Sequence, residues 1–405
     1  MCSASAKNTA DVDGHAPAAA SVPAWLTLPP GDDHGRSFAA SLGFFLKPVA
    51  HLLEDPEVSE IMVNGPDRVY VEIGGELLHR PEASFGTHAK LNAAAANIAQ
   101  FIGQTLDHHN PLVDGRLPDG SRVCLVRAPL ASCGTTINIR KFKRSANEPG
   151  FLLRNDTITE AALEYLELAV RSKRNVLVSG GTGSGKTTVL NILTSYFDPD
   201  ERVVVIEDTR ELQVAQPHVV QMTARPADAH GKGQITIRDL FVTSLRMRPD
   251  RILVGEIRRG EALDLVQAMT SGHAGSLATL HASTPADALR RLEAMALMSG
   301  VDLPLFALRG QIAAAIDVVV QTNRTHTGAR RITAVSEMSF DETAGPAGQY
   351  VVTDLFALHQ DVGAGSDATP TLRPTGRPSM LLHALHEHGQ AHRIQRTAAL
   401  FGSES

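Results

Sequence analysis

The chain has 405 residues, 43% of them apolar and 20% charged, an ordinary globular balance spread over more length than one compact core needs, so two or three domains are predicted. A formal net charge of −6 argues against a protein that coats duplex nucleic acid, and the three cysteines, Cys2, Cys124 and Cys133, form no Cys-x-x-Cys pair, which leaves neither a disulfide framework nor a zinc or redox motif. No apolar run nears the roughly 20 residues that span a bilayer and the amino terminus lacks a basic-then-apolar order, so a cytoplasmic location is predicted.

Residues 1–38 are rich in Ala, Ser, Pro, Gly and Asp, with Trp25 as their one large anchor, and read as a flexible tail. Residues 39–144 read as a small α/β domain. Strands are predicted at 58–63 and 69–73, Gly74-Gly75 marks a hairpin turn, and Leu91, Ala95, Ile98 and Ile102 share one helical face. Two turn signals follow within 113–123. Residues 145–156, with Pro149 and Gly150, read as a linker, and Thr157-Ile158-Thr159-Glu160 has the spacing of a capping box opening a helix through Val170. Within 157–340, apolar strands at 176–178, 203–206 and 252–254 alternate with helical stretches, the pattern of a mostly parallel sheet buried on both faces. Residues 341–405 read as an irregular appendage with one strand at 350–353 and a closing helix at 380–387. Its histidines, His383, His386, His388 and His392, have only Glu387 nearby to complete a metal site.

The strongest chemical signal is Gly180-Gly181-Thr182-Gly183-Ser184-Gly185-Lys186-Thr187, set between the strand at 175–179 and a helical run starting Thr187-Thr188-Val189-Leu190. Four glycines let backbone N–H groups converge on phosphate oxygens, and the helix N-terminus adds positive potential. Lys186 is placed to reach the outer phosphates and Thr187 to offer a hydroxyl to Mg²⁺, so the chain is expected to bind a nucleoside triphosphate.

Two further strands end in acids. The strand at 203–206 runs into Glu207 and Asp208, with Glu211 close behind, and the strand at 252–254 runs into Gly255 and Glu256. Carboxylates at strand ends beside a phosphate loop orient the metal's waters or the attacking water, and Glu256 is the choice to polarise that water, with Glu207 and Glu256 reaching Mg²⁺ through water. Either acid alone also fits a helix cap or a solvated end; the three strand ends together carry the reading. The segment 271–283 surrounds His273 and His281 with glycines and hydroxyls, and His281 is the candidate sensor of the γ-phosphate. Transferring phosphoryl charge needs compensation, for which Arg116, Arg122 and Arg140 in the first domain and Arg246 and Arg248 before the third strand are candidates beside ordinary surface pairing.

These residues resemble the secretion and pilus-assembly traffic ATPases, and within them the Flp/Tad pilus assembly ATPases of the CpaF/TadA type. The similarity starts at Leu52-Leu53-Glu54-Asp55-Pro56 and Glu60-Ile61-Met62-Val63-Asn64-Gly65-Pro66. The phosphate loop resembles the family's Walker A, 207–212 its Asp box, Leu245-Arg246-Met247-Arg248-Pro249-Asp250 with the Glu256 strand its Walker B, and 272–282 its His box. The Flp/Tad resemblance rests on Gln216-Pro217-His218-Val219-Val220, Gly231-Lys232-Gly233, Arg290, Leu292, Glu293 and Met295, and on Asp354-Leu355-Phe356 and Leu372-Arg373-Pro374-Thr375-Gly376. Ala274, Ser283 and Arg259 depart from the pattern, which bears on turnover more than on nucleotide binding.

The resemblance implies a RecA-like P-loop NTPase core with a smaller N-terminal α/β (PAS-like) domain, first-domain arginines approaching the nucleotide, and a homo-hexameric ring. It further implies an inner-membrane pilus or secretion platform protein as partner, with peripheral membrane association through it and no nucleic acid. The expected activity is ATP hydrolysis driving pilin assembly or protein secretion. A conjugative or type IV secretion ATPase is the alternative, with a DNA motor and a nucleotide-gated scaffold as readings from other classes; aromatics at 4% disfavour a single-strand groove.

Overall fold

Successive side chains of a β-strand point to opposite faces, so an unbroken run such as Val176, Leu177, Val178 needs apolar cover on both sides. A computed structural model describes residues 40–141, 148–225, 227, 231–325, 328–359 and 370–402, and the chain divides into two units, Met1–Lys143 and Arg144–Ser405. The expected tail at 1–38, residues 145–147 of the expected linker and the glycines at 363–365 lie outside the described residues. Among the described residues no helix is long and apolar enough to cross a membrane.

The first unit contains helix α1 (Ala50–Glu54), strands β1 (Val58–Asn64), β2 (Val69–Ile73) and β3 (Glu76–His79), helix α2 (His88–Phe101), and strands β4 (Leu112–Arg116), β5 (Arg122–Val126) and β6 (Thr136–Arg140). The strands form one antiparallel sheet in the order β3-β2-β1-β6-β5-β4. The β2–β3 turn is the two-residue Gly74-Gly75 loop, both glycines at positive φ, which matches the twist of the strands it joins. Thr87 caps α2 through Lys90 N at 3.2 Å, and the α2 stripe Leu91, Ala94, Ala95, Ile98 is buried with Val63, Val71, Leu125 and Ile139. In register, Arg116 stands opposite Arg122 and Arg122 opposite Arg140, so the three first-unit arginines form one row across three strands. That row includes neither of the flanking buried pairs, Val123↔Ile139 and Val113↔Leu125, and so belongs to the face turned away from α2.

The second unit opens with α3 (Pro149–Arg154) and α4 (Glu160–Arg171), then β7 (Val176–Gly180), α5 (Lys186–Leu193), β8 (Val203–Glu207) and β9 (Val219–Thr223). It continues through α6 (Ile237–Ser244), β10 (Arg251–Val254), α7 (Glu261–Thr270), β11 (Leu277–Leu280), α8 (Pro285–Leu297) and α9 (Leu305–Ala315), and ends with β12 (Val318–Arg324), β13 (Arg330–Asp341), β14 (Gln349–His359), β15 (Thr371–Pro374) and α10 (Leu382–Glu387). Nine strands form a sheet in the order β15-β14-β13-β12-β7-β11-β10-β8-β9, parallel from β12 to β9 and antiparallel from β12 to β15. Val176, Val178, Val203, Val205 and Leu253 pack with α4 and α5 on one face, while Leu177, Val204, Ile206, Ile252 and Val254 pack with α6 to α9 on the other.

Two local expectations change. The box predicted at 157–160 is absent: Thr159, not Thr157, occupies the N-cap and makes no side-chain cap bond, and the position three residues on is Ala162, which has no polar side chain to reach back; Thr157 is instead bonded through its backbone to Leu152 and Ile332. A capping box does form at Thr236 and Asp239. The single strand predicted at 350–353 is the first half of β14, an 11-residue strand that extends the sheet, because its partner β13 lies between it and β12. Residues 379–397 are then held by two carboxylates. Glu337 accepts from Tyr165 OH at 2.7 Å, Ser379 Oγ at 2.6 Å and Met380 N at 2.7 Å, and Glu164 accepts from the amides of Gln395, Arg396 and Thr397.

At the start of β10 lies Arg251, 1% exposed. Its Nε meets Glu201 Oε2 at 2.6 Å, its other nitrogens donate to Gly275 O and Val170 O, and its guanidinium covers the Phe197 ring at 4.3 Å. Lys173 also pairs with Glu201. Arg251→Met removes every donor while roughly keeping volume, and is expected to cost about 3 kcal/mol of unfolding free energy in a denaturant titration, because Glu201 stays buried with one cation in place of two.

Candidate functional site

Parallel strands joined by crossovers put their carboxyl ends on one edge of the sheet, and the chemistry predicted from sequence gathers there. The loop after β7 makes a tight descent: a Cβ at Gly180 would lie 2.2 Å from Thr322 Oγ1 and 2.5 Å from Ser184 Oγ, so only glycine fits. Gly185 takes the N-cap of α5 at φ 99°, a left-handed conformation natural to glycine, and turns the chain into the helix. Gly181, Thr182 and Gly183 are exposed at the loop's crest, and Thr187 and Thr188 lie in the first turn of α5. From β12, Thr322 Oγ1 meets Ser184 Oγ at 2.8 Å and donates to Ser179 O at 3.0 Å. Gln321 bonds Ser179 Oγ and, through Nε2, Ala282 O at 3.1 Å. Gln321 and Thr322 went unnoticed in the sequence, where two polar residues late in an apolar strand carry no motif.

Lys186 Nζ donates to Gly180 O at 3.0 Å and Gly181 O at 2.9 Å and lies 3.3 Å from His281 Nδ1. Burial lowers its pKa, against the opposing attraction of Glu256 and Glu211. Its bonded partners are thus three neutral acceptors, and a partly dehydrated cation so placed at a helix N-terminus fits a triphosphate. Thr187 Oγ1 donates to Glu211 Oε2 at 3.4 Å, which puts a hydroxyl and a carboxylate together as hard oxygen donors suited to Mg²⁺.

His281, just past β11, joins the loop to the acid. Its Nε2 meets Glu256 Oε1 at 2.8 Å, so with Nδ1 accepting from Lys186 the ring is the Nε2–H tautomer. Burial and the Lys186 charge lower its pKa against the pull of Glu256, leaving a neutral imidazole at pH 7. Glu256 itself is held below the usual carboxylate range: burial raises its pKa, and the bond and charge of Arg258, with His281 and Lys186, outweigh that. Arg258 bonds Glu256 Oε2 at 2.7 Å and Asp208 Oδ2 at 2.9 Å.

The other candidates separate. Glu207, 2% exposed, accepts from the amides of Glu211 and Leu212 at 2.7 and 2.9 Å and so shapes the turn that carries Glu211. His273 precedes β11 and lies at the opposite edge from His281. Arg246 and Arg248 precede β10, on the edge where Arg202 Nε bonds Met247 O at 2.8 Å and Arg202 N bonds Asp250 at 2.8 Å. A strand's length, on the order of 13 Å, separates that edge from Glu256, so the chain does not bring these two arginines to its own phosphate loop. Arg116, Arg122 and Arg140 belong to the first unit. Among the described residues no group of three or more His, Cys, Asp or Glu is placed to hold a metal, and the carboxy-terminal histidines do not converge.

A histidine whose folded pKa lies below its unfolded value takes up protons more readily when unfolded, so its neighbourhood loses stability as pH falls through the unfolded value near 6.5. The melting-temperature advantage of the parent over His281→Gln is therefore expected to shrink between pH 7.5 and 5.5, read by calorimetry at matched ionic strength. An advantage constant across that range would contradict the neutral ring.

Residues 46–349 match the family model described as type II/IV secretion system protein. The chain is 34% identical over 323 residues to Rv3659c of Mycobacterium tuberculosis, named for conjugal transfer, covering 78% of this chain and 89% of that one. It is 34% identical over 319 residues to the type IV secretion system protein PtlH of Bordetella pertussis, covering 72% and 93%. The solved Legionella pneumophila ATPase DotB shares the fold, with a TM-score of 0.51 at 19% identity over 74% of this chain and 81% of that one. A mixed α/β core with a phosphate loop, matched by this family over most of its length, makes the chain a member of the type II/IV secretion system ATPase superfamily.

Proposed function

We propose that the chain hydrolyses ATP and converts the phosphate's departure into motion that drives a secretion or pilus machine. The observation that carries the reading is the continuous path Lys186, His281, Glu256, in which a phosphate-loop cation and a strand-end acid share one imidazole at 3.3 and 2.8 Å. Lys186 and the backbone of the loop bind the triphosphate, Thr187 and Glu211 hold Mg²⁺, and Glu256 orients and polarises the attacking water. Bound Mg²⁺ supplies charge neutralisation on the phosphate oxygens. His281 is bonded to both Lys186 and Glu256, so a γ-phosphate drawing Lys186 away would free Nδ1 and be felt at Glu256. The first-unit arginine row is a multivalent cationic patch suited to phosphate charge, supplied within a homo-hexamer.

Within the superfamily we assign the machine to the Flp/Tad pilus type, on the segments around Gln216, Gly231 and Leu372 that resemble it. A platform protein in the inner membrane is the proposed partner, with peripheral membrane association through it. A conjugative or type IV secretion role is the second reading, favoured by the names of the relatives. Lys186→Ala is expected to abolish binding of a fluorescent ATP analogue. Glu256→Gln is expected to keep binding and lower phosphate release at least ~100-fold; release at the parent rate would remove Glu256 from its role. Loss of surface pili on gene deletion, with conjugation intact, decides for the first machine, and the reverse decides for the second.

A further inference from the structure

We propose that Arg258 is a positioning residue for Glu256, strapping that carboxylate to Asp208 so that its second oxygen stays turned to His281. The proposal rests on the reading of Glu256 as the group that orients water, and adds the device that fixes its aim.

Glutamate has three rotatable side-chain bonds, and a carboxylate free to swing cannot keep water in line with a phosphorus. Here both oxygens are held: Oε1 by His281 Nε2 at 2.8 Å and Oε2 by an Arg258 Nη2 at 2.7 Å. The other terminal nitrogen of Arg258 reaches Asp208 Oδ2 at 2.9 Å. Asp208 follows β8 as Glu256 follows β10, and these strands are adjacent and parallel, with Ile206 opposite Val254. The guanidinium therefore closes a bridge across two neighbouring strand ends. Its own backbone is fixed too, because Glu261, 7% exposed, accepts from the amides of Arg258 and Arg259 at 2.7 and 2.9 Å in the turn that starts α7.

An exposed ion pair by itself contributes little to stability, and the Arg258 side chain is about half exposed, so folding does not account for the arrangement. What a planar, two-pronged cation supplies is a fixed angle between two carboxylates. Lysine, a single point charge, serves one of them at a time.

The test uses the full chain with Mg²⁺ and ATP. Arg258→Ala is expected to lower kcat ~10–100-fold while Kd for a fluorescent ATP analogue stays within ~2-fold, the mark of lost aim with ground-state binding intact. Arg258→Lys is expected to recover part of that loss, and Arg154→Ala, at an exposed surface pair in α3 away from the site, to match the parent. A second readout needs no turnover: in ¹⁵N spectra of arginine-labelled chain, the two terminal nitrogens of Arg258 should resolve as separate signals, and merge in Asp208→Asn and in Glu256→Gln. A kcat for Arg258→Ala within ~2-fold of the parent overturns the proposal, as does an affinity that falls in step with kcat, or averaged Arg258 signals in the parent. If the parent releases no phosphate, the ATPase reading fails and the nitrogen spectrum alone decides whether the strap exists.

Discussion

The order of strands constrains everything at the catalytic edge. β10, which delivers Glu256, does not neighbour β7, which delivers the phosphate loop; β11 lies between them, hydrogen-bonded to both. Two strand spacings, roughly 9–10 Å, are more than a lysine and a glutamate bridge comfortably across a sheet. The residue that leaves β11 must therefore span the gap, and an imidazole with a nitrogen on each side does so. The same geometry explains why Ser179 and Gln321 meet in the layer below: β12 flanks β7 on its other side, so the loop rests on polar side chains from that strand.

Across the site the charges alternate, from the Lys186 ammonium through a neutral ring to the Glu256 carboxylate, the Arg258 guanidinium and the Asp208 carboxylate. Glu256, Arg258 and His281 are each shifted in the sense that keeps this alternation, while burial of Lys186 works against its charge. Glu256 stays ionised because Arg258 outweighs burial, and His281 stays neutral because burial and Lys186 outweigh Glu256. The negative charge of a triphosphate beside Lys186 would offset the ammonium charge that helps hold the ring neutral. The imidazole is the member of the chain whose protonation is most open to that change.

Much of this was legible in the residues, and the limits follow from distance along the chain. A phosphate loop is recognisable because all its donors lie within eight consecutive positions, and an apolar run ending in an acid marks a strand end by itself. Arg258 had no such signature: it stands beside Arg259 without periodicity, and its partner Asp208 is 50 residues away. Thr322 meets Ser184 across 138 residues. β13 was missed because Arg330, Arg331, Thr333, Ser336 and Glu337 break its apolar alternation, and several of these are polar for reasons of contact, Ser336 bonding Asp354 and Glu337 bonding Tyr165. Thr157 misled because the spacing fits a capping box, while its backbone is engaged by Leu152 and by Ile332, 175 residues further on, and the helix starts after it.

Glu337 also has a practical implication. Two of its three hydrogen-bond donors, Ser379 Oγ and Met380 N, come from the segment beyond β15, and the side chain is only 4% exposed. A fragment designed to stop at the end of the sheet would strand a shielded anion with Tyr165 alone, and would bare Leu355 and Phe356, which share a core cluster with Leu381 and Leu385. Expression boundaries chosen from the nucleotide-binding motifs would thus cut through a folding unit, and those that respect it run to at least residue 400.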